Sequence, residues 1–244
     1  MPTVRFNEQS FTLDGRRIWV LGATLHYARI PAGEWPEVIA RTRDAGCNTV
    51  EVPCPWMVHE PRRGRYDFSG DANVAEFVRL CGEAGLWVML RPGPAIGSGY
   101  DGGGIPGWVN DDPAVSVRES SEGVLERATR YLRRLMNELS EFQMPKGGPI
   151  LLVQAEHEWC CANPIEEQKY LHEVGRVLRE SASGIPIVNA NNLWPDAQDT
   201  IDTWRGRTDL LANVRQLRVV QPTAPRLVSS FEVSGTATWG APAE

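Results

Sequence analysis

Two glutamates stand two residues apart at the end of an apolar run, and they are the first chemistry this chain offers. The segment Ile150-Leu-Leu-Val-Gln-Ala-Glu-His-Glu-Trp159 reads as a strand covered on both faces, because such strands are near-continuous apolar runs, and it delivers Glu156 and Glu158 to its carboxyl end. Acids are rarely buried unless paired. Each therefore has two uses open to it: proton transfer or nucleophilic work at a site, or an ion pair with an arginine such as Arg91. In barrels of alternating strands and helices the reacting groups sit where the strands end, which makes both acids candidate catalytic or binding groups. His157 lies between them and could hold or tune Glu158, although a histidine beside carboxylates is more often a hydrogen-bonded structural residue.

The elements that must position these acids follow from the alternation of short apolar runs with longer helical patterns. Strand-like Ile18–Thr24, Thr49–Cys54, Leu86–Arg91 and Ile150–Gln154 precede helical patterns over 34–45, 72–84, 124–142 and 165–182. Repeated units of this kind imply a parallel sheet. Ile185–Asn189, a weaker Ile201–Trp204 and Arg226–Phe231 continue the strands, with a helix over 209–219, for about seven in all. The expected fold is thus an α/β (β/α)₈ barrel in one domain over 1–244, short of its last βα unit. Asp14-Gly15 marks a hairpin lead-in that caps the barrel floor. An open doubly wound sheet would show a glycine-rich phosphate loop after its first strand, whereas the glycine-rich stretch Gly97–Gly104 follows the third and reads as a loop at the active face. Unpaired first and seventh strands invite association, so a homo-oligomer is one outcome this architecture allows.

Composition narrows the partners. A chain of 244 residues with 42% hydrophobic and 23% charged residues can bury one large core. Its net charge of −6 argues against a nucleic acid or an anionic membrane surface, both of which need a basic face. Five cysteines, Cys47, Cys54, Cys81, Cys160 and Cys161, are odd in number and form no Cys-x-x-Cys pair, which favours a reducing compartment. The amino terminus lacks an apolar leader core and no run is long enough to span a bilayer, so the expected location is cytoplasmic. Nine tryptophans are many for this length. Trp56, Trp204 and Trp239 stand beside strand ends, where indole faces stack on sugar rings, although filling a core is the commoner use of a large aromatic. Asn191, in Asn189-Ala-Asn-Asn-Leu-Trp194, puts an amide at the end of the fifth strand, with turn formation as the simpler role. His26 and His59 have no metal-ligand spacing with an acid, and neither a metal nor an organic cofactor is implied.

Taken together, several motifs resemble glycoside hydrolase family 35, the β-galactosidase-like retaining enzymes. They are Leu25-His-Tyr-Ala-Arg-Ile-Pro31, Pro55-Trp-Met-Val-His-Glu-Pro61, Tyr66-Asp-Phe-Ser-Gly70, Arg91-Pro-Gly-Pro94, Gly103-Gly-Ile-Pro106 with Trp108, and Gly148-Pro-Ile through Glu158, and the likeness runs from Phe11 to Gly240. The resemblance implies a barrel with a glutamate on its fourth strand as general acid/base and one on its seventh as nucleophile. The first maps onto Glu158, which would protonate the leaving glycosidic oxygen and then deprotonate water. Retention places the partner carboxylate about 5 to 5.5 Å away.

The partner departs from the family pattern. A gap-free alignment through Trp239-Gly240 puts Ser230 at the nucleophile position, and serine cannot form that intermediate. Glu232 lies two residues on, about 6.6 Å further along a strand and on the same face, as a displaced nucleophile or a solvated acid. Positions at which the family contacts sugar also differ: Pro53, Met57, Ala95, Gly99 and His157 replace residues that bind hydroxyls there. A lost hydrogen bond to a buried hydroxyl costs about 1 to 3 kcal/mol. The leading expectation is therefore a retaining hydrolase of a β-linked glycoside, a β-galactoside or related sugar, with Glu158 and Glu232 as catalytic residues and Trp56, Glu156, His157, Asn191, Trp204 and Trp239 contacting substrate. Two other readings stay open: a sugar-binding or structural relative without its nucleophile, and a fragment of a larger enzyme.

Overall fold

The computed structural model describes residues 1–97, 99–159, 164–182, 184–190, 200–206 and 208–231, with the backbone alone for 164–167. Asn191, Glu232 and Trp239 lie outside the described residues.

Three short antiparallel strands come first, β1 (Val4–Phe6), β2 (Phe11–Leu13) and β3 (Arg16–Ile18). Asp14 and Gly15 turn β2 into β3 with φ of 50° and 78°, the left-handed pair that a two-residue hairpin needs. The expected hairpin is thereby present, and β1 widens it to a small sheet.

Strands and helices then alternate. β4 (Gly22–Thr24) leads to α1 (Trp35–Asp44), and β5 (Thr49–Pro53) to the one-turn α2 (Trp56–His59) and α3 (Val74–Glu83). β6 (Trp87–Gly93) leads to the short α4 (Gly107–Asn110) and the long α5 (Glu122–Glu138), and β7 (Ile150–Ala155) to α6 (Pro164–Ser181). β8 (Ile187–Asn189), β9 (Ile201–Asp202), β10 (Trp204–Gly206), α7 (Leu210–Val220) and β11 (Val228–Phe231) complete the order. Strands β4 to β9 pair in parallel with their neighbours in sequence, and β10 pairs in parallel with β11.

Only Thr203 separates β9 from β10. This buried residue donates its backbone N–H to the Asn189 carbonyl (3.1 Å), and its hydroxyl bridges that carbonyl and the Ser229 hydroxyl. One path of chain therefore serves first β8 and then β11, and the result is a partial (β/α) barrel of seven consecutive parallel strands. The fifth of them starts at Ile187 instead of Ile185 because Pro186 has no N–H for the ladder, and Ile185 donates back to Ala182 (2.7 Å) in a turn.

The alternation of side chains sorts the core into two layers. Val50, Val52, Val88 and Leu90 pack outward against Phe77, Val78, Leu132, Leu135, Val174 and Val177 of the helices. Met89, Leu151, Leu152, Val188 and Ile201 form an inner cluster with Val4 and Phe11, so the amino-terminal sheet closes the barrel floor. Every residue of β5 and β7 is buried, as a strand covered on both faces requires. Among the described residues no pairing joins β11 to β4. Between them lies a cavity of about 670 Å³, walled by Ile18 to Thr24 on one side and Pro225 to Phe231 on the other, with Glu51 and Met89 at its back. Among the described residues no helix is long and apolar enough to cross a membrane.

Phe77 tests the outer layer. Fully buried, it meets Tyr27 and Trp35 with ring centroids 5.4 Å away in each case. Phe77→Ala should cost about 3 to 5 kcal/mol of unfolding free energy in a denaturant titration; a loss below about 1 kcal/mol would contradict this packing.

Candidate active site

Where β7 ends, the backbone N–H of Glu156 still reaches the Gly93 carbonyl at the end of β6 (3.2 Å) and that of Glu158 reaches Ala190 after β8 (3.3 Å). Both glutamates have left-handed φ, 59° and 50°. For residues with a Cβ this conformation costs on the order of 1 to 3 kcal/mol and persists where the surroundings hold it. The surroundings here are polar and saturated. Glu156, with no exposed side-chain surface, accepts from Arg118 Nη2 (2.8 Å), from the His157 backbone N–H (3.0 Å) and from the Tyr170 hydroxyl. Gln154 Nε2 donates to the Glu156 carbonyl (2.8 Å). Burial first, and then the neighbouring Glu156 carboxylate, hold the Tyr170 hydroxyl well above its usual value of 10.

Glu156 is consequently a structural anchor, which corrects its expected place among the substrate contacts: both its oxygens are taken. The arginine that holds it is Arg118, not Arg91. Arg91 instead lies inside the barrel, 2% exposed, with Nε 3.3 Å from Glu51 Oε1 and Nη1 donating to the His157 ring (2.7 Å to Nδ1). Glu51 also accepts from the Thr24 hydroxyl. His157 is itself buried, and Gln154 Nε2 reaches its Nδ1 at 3.1 Å. Burial, then Arg91, Arg205 and Arg118, push the His157 imidazole down to about 2, and burial with Arg91 and Arg29 lowers His26 to about 4. Both rings are neutral near pH 7.

Glu158 has the opposite fate from Glu156. Its side chain is 44% exposed, its Oε1 accepts from Arg205 Nη1, and its Oε2 lies 3.8 Å from His157 Nε2. Gly97 passes close beside it at φ 61°; a Cβ there would stand 2.8 Å from His157 Cδ2 and 3.9 Å from Glu158 Oε2, so only glycine fits. The loop carrying Gly97 closes through the Ile96 N–H to the Gly103 carbonyl (2.8 Å), and it borders the site as expected of the glycine-rich stretch. Arg205 is opposite Ser230 in the β10–β11 register, which brings the aligned nucleophile position to the strand neighbour of the group that holds Glu158.

The aromatic expectations divide. Trp56 is 1% exposed, stacked on Tyr131 (5.0 Å) and edge-on to Trp108 (5.9 Å), with Nε1 donating to Glu60 Oε2 (2.7 Å). No face is left for a sugar, and its role as a substrate contact is corrected to core filling. Trp204 is half-buried in β10, with Nε1 lacking a hydrogen-bond partner among the described residues. His59 stacks on Phe68 (4.8 Å), contacts the Tyr27 hydroxyl and meets the Asp67 carbonyl through Nδ1 (3.0 Å), and burial foremost lowers it to about 4. Pro53 ends β5, Ala95 is buried, and the Gly99 carbonyl accepts from Arg29 Nη2 (2.8 Å). Among the described residues no three His, Cys, Asp or Glu side chains gather to hold a metal ion.

Sequence reasoning missed Arg118, Tyr170, Arg205 and Glu51. Glu51 carried a readable signal, a charge inside the apolar run Thr49–Pro53. Arg118 carried none, since it reaches the site from a segment without periodicity, at φ 66°.

Comparison with known proteins agrees with the architecture. The model of glycosyl hydrolases family 35 matches residues 10–244. Beta-galactosidase-1-like protein 2 of Homo sapiens is 31% identical over 240 residues, 96% of this chain and 37% of its own length. Beta-galactosidase of Mus musculus is 29% identical over 247 residues, 97% of this chain and 38% of its own. The chain thus spans a little over a third of these curated relatives. Among solved structures, the exo-beta-1,4-mannosidase Op5Man5 from Opitutaceae bacterium strain TAV5 superposes with a TM-score of 0.72 at 19% identity, over 89% of this chain and 46% of that one, a likeness of fold.

Two predictions follow from the buried network. Arg118→Met strands a buried carboxylate and should cost about 3 to 5 kcal/mol, while Glu156→Gln in the same chain should recover a large part of it in a double-mutant cycle; additive losses would contradict the pairing. Lowered histidines also set a pH dependence. Because His26, His59 and His157 bind protons less readily folded than unfolded, their contribution is complete above about 6.5 and is lost as pH falls from there toward about 4 for His26 and His59 and about 2 for His157. The urea midpoint should decline from pH 7 to 5, and the three imidazole NMR shifts should stay at neutral values over that range; protonated shifts at pH 6 would contradict it.

Proposed function

The chain belongs to glycosyl hydrolases family 35, and from that premise we propose that it hydrolyses a β-linked glycoside at the carboxyl end of the barrel, with Glu158 as its proton-transfer group. One observation carries the reading: of two glutamates at the end of a fully buried strand, Glu156 is saturated and sealed while Glu158, its side chain 44% exposed, stands at the mouth. Such a group can give a proton to a leaving glycosidic oxygen and take one from water. The proposed nucleophile is Glu232, two residues beyond Ser230, which would have to approach within about 5 to 5.5 Å of Glu158 for retention. The names of the relatives support a β-galactoside or a related sugar, while Pro53, Ala95 and Gly99 supply no side-chain partner for galactose hydroxyls.

A second reading, a sugar-binding relative without turnover, is supported by Arg205. A guanidinium in contact with a carboxylate favours its charged form, and Ser230 stands beside it where the family places a nucleophile.

Paired variants separate the two. Glu158→Gln should slow hydrolysis of an alkyl β-glycoside by about 10² to 10⁴-fold, with a smaller effect on an aryl glycoside whose leaving group needs no proton. Glu232→Gln should stop both. Wild-type activity in Glu158→Gln would sink the proposal. A wild-type protein that binds sugars without hydrolysing them, and gains hydrolysis in Ser230→Glu, would establish the second reading.

A further inference from the structure

Gln154 fixes where the proton sits on the histidine beside Glu158. Its side chain is fully buried, and its Nε2 stands 2.8 Å from the Glu156 carbonyl. A carbonyl oxygen can only accept, so the amide is turned with its nitrogen on that side. The same nitrogen lies 3.1 Å from His157 Nδ1. An amide nitrogen only donates, and Nδ1 must therefore offer its lone pair. Arg91 Nη1 brings a second donor, 2.7 Å from Nδ1 and 2.9 Å from Nε2, and it too is satisfied only at the nitrogen that has no proton. The ring is neutral, because burial first, then Arg91, Arg205, Arg118 and His26, disfavour a second proton on it. A neutral imidazole whose Nδ1 accepts carries its one proton on Nε2.

That nitrogen is the one nearer the candidate acid. Glu158 Oε2 lies 3.8 Å from Nε2, with Gly97 passing beside both, while Oε1 of the same carboxyl accepts from Arg205 Nη1. A small rotation of the half-exposed Glu158 side chain closes the gap to the roughly 2.9 Å of a hydrogen bond. Glu156, on the other side of the ring, takes the His157 backbone N–H and is held by Arg118, so it makes no claim on Nε2. We propose that His157 is a positioning residue for proton transfer, locked by Gln154 and Arg91 as a neutral Nε2–H donor that steadies the Glu158 carboxylate. The inference rests on the reading of Glu158 as the proton-transfer group. In the first step Glu158 gives its proton to the glycosidic oxygen, the bond to the leaving group breaks with its electron pair going to that oxygen, and the His157 donor stabilises the carboxylate left behind. His157 keeps its own proton throughout. Being neutral, it favours the carboxylate without adding a third full charge beside Arg91 and Arg205.

Two NMR measurements on the full chain test it. Nitrogen-15 shifts of the wild-type protein at pH 7 should show His157 as the Nε2–H tautomer, and Gln154→Met should let an Nδ1–H population appear. A wild-type Nδ1–H ring overturns the inference, and an unchanged tautomer in Gln154→Met overturns the part given to Gln154. The second measurement follows the Glu158 carboxyl carbon through a pH titration. Its midpoint should rise in His157→Leu by roughly half a unit to one unit, the equivalent of one ordinary hydrogen bond, and His157→Asn, which keeps an amide donor, should restore most of the wild-type value. No rise in His157→Leu, or an equal rise in both variants, overturns the donor role; the tautomer of the wild-type protein decides the case if His157→Leu fails to fold. Neither readout needs turnover, so failure of the glycosidase reading, seen as no hydrolysis by the wild-type protein, is distinguishable from failure here.

Discussion

A guanidinium buried inside a barrel constrains everything around it. Removing Arg91 from water costs several kcal/mol unless matched by hydrogen bonds and opposite charge, and the matches come from three separate elements: Glu51 on β5, Thr24 on β4 behind Glu51, and His157 after β7. One polar chain therefore ties four neighbouring strands at the height of the mouth. Lysine could not replace Arg91, because a point charge on a flexible stem cannot meet Glu51 and the His157 ring along separate directions. His157 is held neutral by this arrangement, and its neighbour Glu158 takes its place from it.

Saturation and exposure then divide the labour between two chemically identical side chains. Left-handed φ at Glu156 and Glu158 turns the strand end, so that the first acid goes into the Arg118–Tyr170 network and the second into the open. A carboxylate with both oxygens engaged cannot exchange a proton with a substrate; a half-exposed one can. The network under Glu156 stabilises the strained turn, and the turn presents Glu158. Loss of Arg118 would thus reach the mouth through the backbone without touching a ligand.

The two sides of the mouth are built with different rigidity. β5 and β6 are buried strands that carry Glu51 and Arg91, and the buried β7 leads into Glu158 just past its end, whereas β10 and β11 are short and half-exposed and carry Arg205 and Ser230. Sparse burial lowers the free energy of local opening. The contact between Arg205 and Glu158 spans these two sides, so whatever displaces Arg205 moves the softer side against a fixed acid.

Periodicity alone determined the alternation of strands and helices, the sealed β5 and β7, the hairpin at Asp14-Gly15 and the placement of Glu158 at a strand end, because each is a local pattern written in consecutive residues. Strand ends such as Ile187 shifted by two residues where a proline removed a donor, and Ile201–Trp204 became two strands because Thr203 exchanges one partner for another. Tertiary structure alone decided which glutamate is exposed, which arginine holds which acid, and that Trp56 fills the core while Arg205 stands at the mouth. Spacing along a chain gives the face of an element, but burial, ion pairing and the local field are set by residues distant in sequence, as Arg118 is from Glu156 and Arg205 from Glu158.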